Sequence, residues 1–142
     1  MGGGSFLGQG ARRGDRFAGL NFSSYFHYPL SSLLRSSPAL SNDQDTADVI
    51  SASAKFGGEK LWQMPMPAEM LERTKSKIAD IKNVGDRAGG SIQAALFLNE
   101  FVKRTRWAHF DIAGVAWSWG LSAATGYGVR TMVELVERLS RL

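Results

Sequence analysis

His109 and Asp111 stand two residues apart, a spacing that puts both side chains on one face of a strand. A His–Asp couple can ligate a divalent metal or run acid/base chemistry. A metal centre needs three or four ligands, and the only other histidine, His27, belongs to an irregular N-terminal stretch. The pair is therefore expected to be structural, buried and hydrogen-bonded. A second feature is the run Gly85-Asp86-Arg87-Ala88-Gly89-Gly90-Ser91, which precedes a helical pattern. Free backbone N–H groups there could hold an anion, with Arg87 assisting. Thr125-Gly126-Tyr127-Gly128 offers the same at the last helical pattern. Neither run matches a dinucleotide-binding or P-loop fingerprint, and both read first as turns that need glycine for positive φ. No Ser/His/Asp set has a recognisable spacing. With no cysteine, thiolate chemistry and disulfides are excluded. Taken by themselves, these residues supply neither a catalytic set nor a metal-ligand set.

The elements that would position them follow from periodicity. Asp43 or Asp45 can cap a helix running through Val49 and Ile50 to about Phe56, with Gly57-Gly58 as its stop. Leu61 to Pro67 is extended, because each proline disfavours helix in the residue before it. A polar helix is expected over about 68–76, and Ile78-Ala79-Asp80-Ile81 alternates like a short strand. Ser91 is placed to cap a helix over about 92–103 that is apolar on most sides, the pattern of a sandwiched helix. Residues 107–113 read as an interior strand. From Gly128 an amphipathic helix carries Val129, Met132, Val133, Val136 and Leu139 on one face, with Glu134/Arg138 and Glu137/Arg141 as i,i+4 pairs on the wet side. Helices alternating with strands indicate an α/β layer arrangement. Two short strands alone make a poor sheet, so the pattern looks like part of a domain.

Composition shifts near Ser41. Residues 1–41 contain seven glycines, eight serines, four arginines and one acid, Asp15, for a balance of +3 out of the chain's +4. Residues 1–40 thus read as an irregular leader, either transit-like or without an address. Its aromatics, Phe17, Phe22, Tyr25, Phe26 and Tyr28, suit a segment that folds over a surface. Residues 42–142 are near neutral and show no basic stripe, which argues against a nucleic-acid partner. No apolar run reaches the roughly 18 residues of a membrane span.

Residues 41–142 contain stretches that resemble the leucyl (cytosol) aminopeptidase family. They are Ser41-Asn42-Asp43 with its helix, Glu59-Lys60-Leu61-Trp62-Gln63-Met64-Pro65-Met66, and Ser76 through Ile92 with Ala94-Ala95-Leu96-Phe97-Leu98. Then come Trp107-Ala108-His109-Phe110-Asp111-Ile112-Ala113-Gly114 and Ala124-Thr125-Gly126-Tyr127-Gly128-Val129-Arg130-Thr131. The resemblance implies the C-terminal portion of a three-layer α/β/α catalytic domain with a mixed sheet. It also implies metal-dependent release of N-terminal residues from peptides, with two zinc or manganese ions activating a bridging water. The family is usually a homohexamer, cytosolic or plastid.

The family's metal ligands lie in motifs of the form VGKGxTFDSGG and NTDAEGR, and neither occurs in this chain. The expectation is a chain with no cofactor of its own and no activity alone. The alternative is a non-catalytic subunit that joins an intact aminopeptidase hexamer, another partner or a second copy. By position in the family, Val84, Ala113 and Ala116 line the substrate pocket; plain core packing is the other reading of all three. Trp119 and Leu121 replace the lysine or acidic residues that family members often carry. The compartment implied is the cytoplasm, or a plastid or mitochondrion if residues 1–40 are a transit peptide.

Overall fold

The computed structural model describes residues 17–23, 35–83 and 88–141, of residues 17–23 the backbone alone. Six strands and three α-helices follow one another along the described residues, with a 3-10 helix at Ala68–Thr74. The strands are β1 (Phe17–Ser23), β2 (Ser36–Ser41), β3 (Lys60–Gln63), β4 (Arg106–Asp111), β5 (Trp117–Ser118) and β6 (Ala123–Ala124). The helices are α1 (Gln44–Phe56), α2 (Gly90–Val102) and α3 (Val129–Ser140).

The main sheet has the order β1-β4-β2-β3 and is mixed. β1 runs parallel to β4, β2 antiparallel to β4, and β2 parallel to β3. Side-chain alternation along β4 divides the interior in two. Ala108 and Phe110 join Ala39, Ile50 of α1 and Leu135 of α3 on one face. Trp107 joins Leu40 and Ala95 of α2 on the other, with Ile92 and Leu98 packed against them. Helices on both faces of a sheet make three layers, as the family resemblance implied.

Local chemistry explains the boundaries. Asp43 caps α1: its Oδ2 accepts from the Thr46 N–H at 2.8 Å and the Thr46 hydroxyl at 2.7 Å. The helix stops at Gly57-Gly58, and Gly58 has φ +69°. Gly57 has a second constraint, because an added Cβ would meet the Arg130 backbone carbonyl carbon at 3.2 Å. A side chain at Gly57 would therefore need the start of α3 to give by a few tenths of an ångström.

Three local expectations are corrected. The stretch 78–81 forms no strand. The amides of Ile78 and Ala79 bond to the Ser76 hydroxyl and Ile78 is 98% exposed, so the alternation had no sheet to join. The polar helix at 68–76 is a shorter 3-10 turn ending at Thr74. Ser91 does not cap α2: the N-cap is Gly89 at φ +71°, and the Ser91 hydroxyl turns to Asp111 instead. The sheet also reaches back across the composition break, since Ser41 is the last residue of β2.

Candidate functional site

The chemistry-bearing residues gather at the C-terminal end of β4. His109 and Asp111 are both fully buried on the α2 side of the strand. Asp111 accepts a short hydrogen bond from the Ser91 hydroxyl through Oδ2, and from the Ala113 N–H at 3.1 Å through Oδ1. The carboxylate thus ties the first turn of α2 to the bend after β4. The His109 ring stacks on Trp107, centroids 6.0 Å apart and 27° between planes. Burial pushes its pKa below the ordinary imidazole value and the Asp111 charge opposes this, so the ring is neutral near pH 7. The couple is structural, one member bracing a turn and the other filling a layer.

After Asp111 the chain folds into a tight turn. Val115 and Ala116 both donate backbone N–H groups to the Ile112 carbonyl, at 3.0 and 2.9 Å. Thr125 closes the β5–β6 hairpin by donating its N–H to the Ala116 carbonyl at 2.9 Å and its hydroxyl to Val115 at 2.6 Å. Ala113 and Ala116 are half-buried on this fixed turn. Val84 and the anion-cradle residues Gly85, Asp86 and Arg87 lie outside the described residues. The hairpin itself presents Trp117 and Trp119 edge to face at 6.4 Å, with Leu121 exposed beside them in the chain.

Thr125-Gly126-Tyr127-Gly128 is a turn, and the anion at its backbone N–H groups is one of the protein's own side chains. Glu59, its side chain 3% exposed, lies at the N-terminus of α3. Its Oε1 accepts the Gly128 N–H at 2.8 Å, and its Oε2 accepts the Thr131 N–H at 2.9 Å and the Thr131 hydroxyl. Gly128, at φ +91°, has no side chain to do this work. A carboxylate in that position satisfies unpaired amides and complements the helix dipole. Arg130 stands 3.9 Å from Glu59 on the solvent side.

Tyr127 completes the brace. Its hydroxyl donates to the Lys60 carbonyl and accepts from the Ser37 N–H at 3.3 Å, linking the starts of β2 and β3. Burial pushes its pKa above the usual phenol value. Glu59, Tyr127 and Ser37 were missed as a set from sequence, because each bond spans 67 to 90 positions.

A polar cleft of about 430 Å³ opens at the opposite end of β4, lined by Asn42, Asp43, Asn99, Lys103, Arg104, Thr105 and Arg106. It lies away from Ala113 and Ala116. Asn42 is already engaged there, donating to Asn99 Oδ1 at 3.1 Å and the Thr105 carbonyl at 3.0 Å, and accepting from the Trp107 N–H at 2.9 Å. Arg106 sits 3.7 Å from Asp43 and 3.8 Å from Asp45.

The donor set does not fit a two-metal centre. Among the described residues no three of His, Asp and Glu converge, and Asp111 and Glu59 spend their oxygens on hydroxyls and backbone amides. The site is an apolar turn held by the buried Asp111 carboxylate and by Thr125.

Residues 34–133 match the cytosol aminopeptidase family, catalytic domain. A "Probable cytosol aminopeptidase" of a Cyanothece species is 54% identical over 101 residues, covering 68% of this chain and 20% of the relative. One from a Geobacter species is 50% identical over 107 residues, covering 72% of this chain and 22% of the relative. Among solved structures, a tomato leucine aminopeptidase mutant superposes with a TM-score of 0.74 at 37% identity, over 84% of this chain and 24% of that one. The chain spans about a fifth of the length of the curated relatives it matches.

Proposed function

This chain belongs to the cytosol aminopeptidase family, and from that premise we propose that it provides the C-terminal layer of an aminopeptidase catalytic domain and one wall of its peptide pocket. The family is a metallopeptidase family acting on peptides. The wall is the apolar turn of Ala113 and Ala116, which receives the N-terminal side chain of a peptide, and Val84 lines the next subsite. The observation that carries this is the turn after β4, fixed by Asp111 and by Thr125, with both alanines half-buried. Small apolar walls set which side chain fits and leave the chemistry to other groups.

The sequence carries neither of the family's metal-ligand motifs, and no metal-dependent turnover is expected of the chain alone. The compartment is the cytosol, on the names of the relatives.

The test is hydrolysis of a leucine chromogenic amide by the purified, folded chain, with manganese or zinc and with a chelator. No turnover above the chelator control is expected. Metal-dependent release of the chromophore would overturn the reading, because it would require a ligand set assembled within these residues.

A further inference from the structure

The backbone of β4 is divided between its two neighbours. Asn42 donates its N–H to the Trp107 carbonyl at 3.4 Å, and the Trp107 N–H reaches the Asn42 side chain at 2.9 Å. The Asp111 carbonyl accepts the Ser37 hydroxyl at 2.8 Å. Trp107 and Asp111 therefore turn their polar backbone toward β2, and so does His109 between them, since successive peptide groups of a strand point to opposite sides. The N–H and C=O groups of Ala108 and Phe110 point the other way, toward β1. Both residues are 1% exposed. Backbone groups so deeply placed must be paired, because an unpaired one costs about as much as a lost hydrogen bond.

Among the described residues only β1 stands on that side. It runs parallel to β4 in the register Leu20↔Ala108 and Phe22↔Phe110. In a parallel ladder a residue's groups reach the two neighbours of its partner and not the partner itself. Asn21 is the neighbour common to both pairs, so its N–H and C=O are the groups set between Ala108 and Phe110. Those of Leu20 and Phe22 point away from β4. β1 comes entirely from residues 17–23, whereas the match to the aminopeptidase family begins at residue 34. A strand inside the family match is thus completed by sequence outside it.

We infer that the β1 side of β4 is an acceptor site for an extended strand, and that residues 17–23 occupy it in cis as an edge cap. Recognition is through main-chain bonds in parallel orientation, the chemistry of strand addition at a sheet edge. The cap has a definite use, because an open edge between two buried apolar clusters is a template for pairing with other chains. The inference stands apart from the pocket wall proposed above, since neither Ala113 nor Ala116 takes part in it.

The test is site-resolved amide hydrogen exchange on the full chain. In the parent, the Asn21, Ala108 and Phe110 amides should exchange slowly, and those of Leu20 and Phe22 at least about tenfold faster than Asn21. Asn21→Pro removes the central donor of the ladder and should raise exchange at Ala108 and Phe110 by on the order of a hundredfold. Trp107 and His109, which bond toward β2, should change little. Leu20→Pro, whose lost N–H points away from β4, should leave all four as in the parent. A synthetic peptide of residues 16–24, at the millimolar effective concentration of a tethered segment, should restore protection at Ala108 and Phe110 in Asn21→Pro. Equally fast exchange of Asn21, Leu20 and Phe22 in the parent would overturn the inference, whether or not the variant folds. So would unchanged protection of Ala108 and Phe110 in Asn21→Pro, or a peptide that does not protect them.

Discussion

At the start of α1 the capping carboxylate comes from Asp43, three positions before the amide it takes. At the start of α3 it comes from Glu59, 69 positions before the Gly128 amide and 72 before that of Thr131. The chemistry is the same, an anion on unpaired N–H groups at the positive end of a helix. The burdens differ. Asp43 sits at the surface beside Arg106 and holds one helix in place locally. Glu59 is buried, and its bonds join the end of β3's approach to the helix behind the candidate pocket turn. A local cap decides whether a helix begins; a distant one decides where it sits.

The sharpest way to break that comparison is Glu59→Ala. It leaves the Gly128 and Thr131 amides buried without their acceptor, and a loss of about 3 kcal/mol in urea unfolding is expected. The hairpin and α3 amides should lose hydrogen-exchange protection before those of α1. If exchange instead rose evenly over the whole chain, the carboxylate would be a general support and not a positioning device. Asp43→Ala is the matched local change. It should cost about 1 kcal/mol, with added exchange confined to the first turn of α1. Equal losses from the two substitutions would erase the distinction drawn here.

The smallest effect is an acid limb. Burial raises the Asp43 pKa, but bonds from Thr46 and the Arg106 charge outweigh it, so the carboxyl lies below its usual 3.8. Its folded pKa is depressed, so its stabilisation is present above 3.8 and is lost as pH falls from there through the folded value. Urea midpoints measured between pH 5 and 2.5 should fall less steeply in Asp43→Asn than in the parent. Identical slopes would assign the acid limb to other carboxylates.

Much of the fold was legible in the residues. Asp43 announced α1 and Gly57-Gly58 its end; Pro65 and Pro67 announced the extended stretch after β3; Gly128 announced α3. The interior strand read over 107–113 is β4 at 106–111, two residues shorter at its end. β2 was not legible, because Ser36-Ser37-Pro38 reads as a turn and Pro38 cannot donate to a ladder. The fold repairs that gap with side chains: the Ser37 amide bonds the Tyr127 hydroxyl at 3.3 Å and the Ser37 hydroxyl bonds the Asp111 carbonyl at 2.8 Å.

The apolar period of α3 was read correctly, yet its valines face outward while Thr131 and Leu135 face in. Periodicity gives a stripe but not the layer that covers it. The Glu134–Arg138 pair accordingly lies on the half-buried side, at 2.6 Å, and not on the wet one. Of the pocket residues, Ala113 and Ala116 were placed by resemblance alone. The bonds that hold their turn come from Asp111 and Thr125, visible only once β4 and the hairpin are folded.

The position of β4 between β1 and β2 has a consequence in time. Both flanking strands precede it in the chain, and β2 meets it only across 66 to 74 positions, from Ser41 to Trp107 and from Ser37 to Asp111. As the polypeptide leaves the ribosome, β2, α1 and β3 can associate early, but the inner edge of β2 waits for the strand that will fill it. An unfilled edge invites pairing with other chains. The interval between the synthesis of Ser41 and that of Asp111 is therefore when this protein is most exposed to misassembly, and slowing elongation there should raise the aggregated fraction.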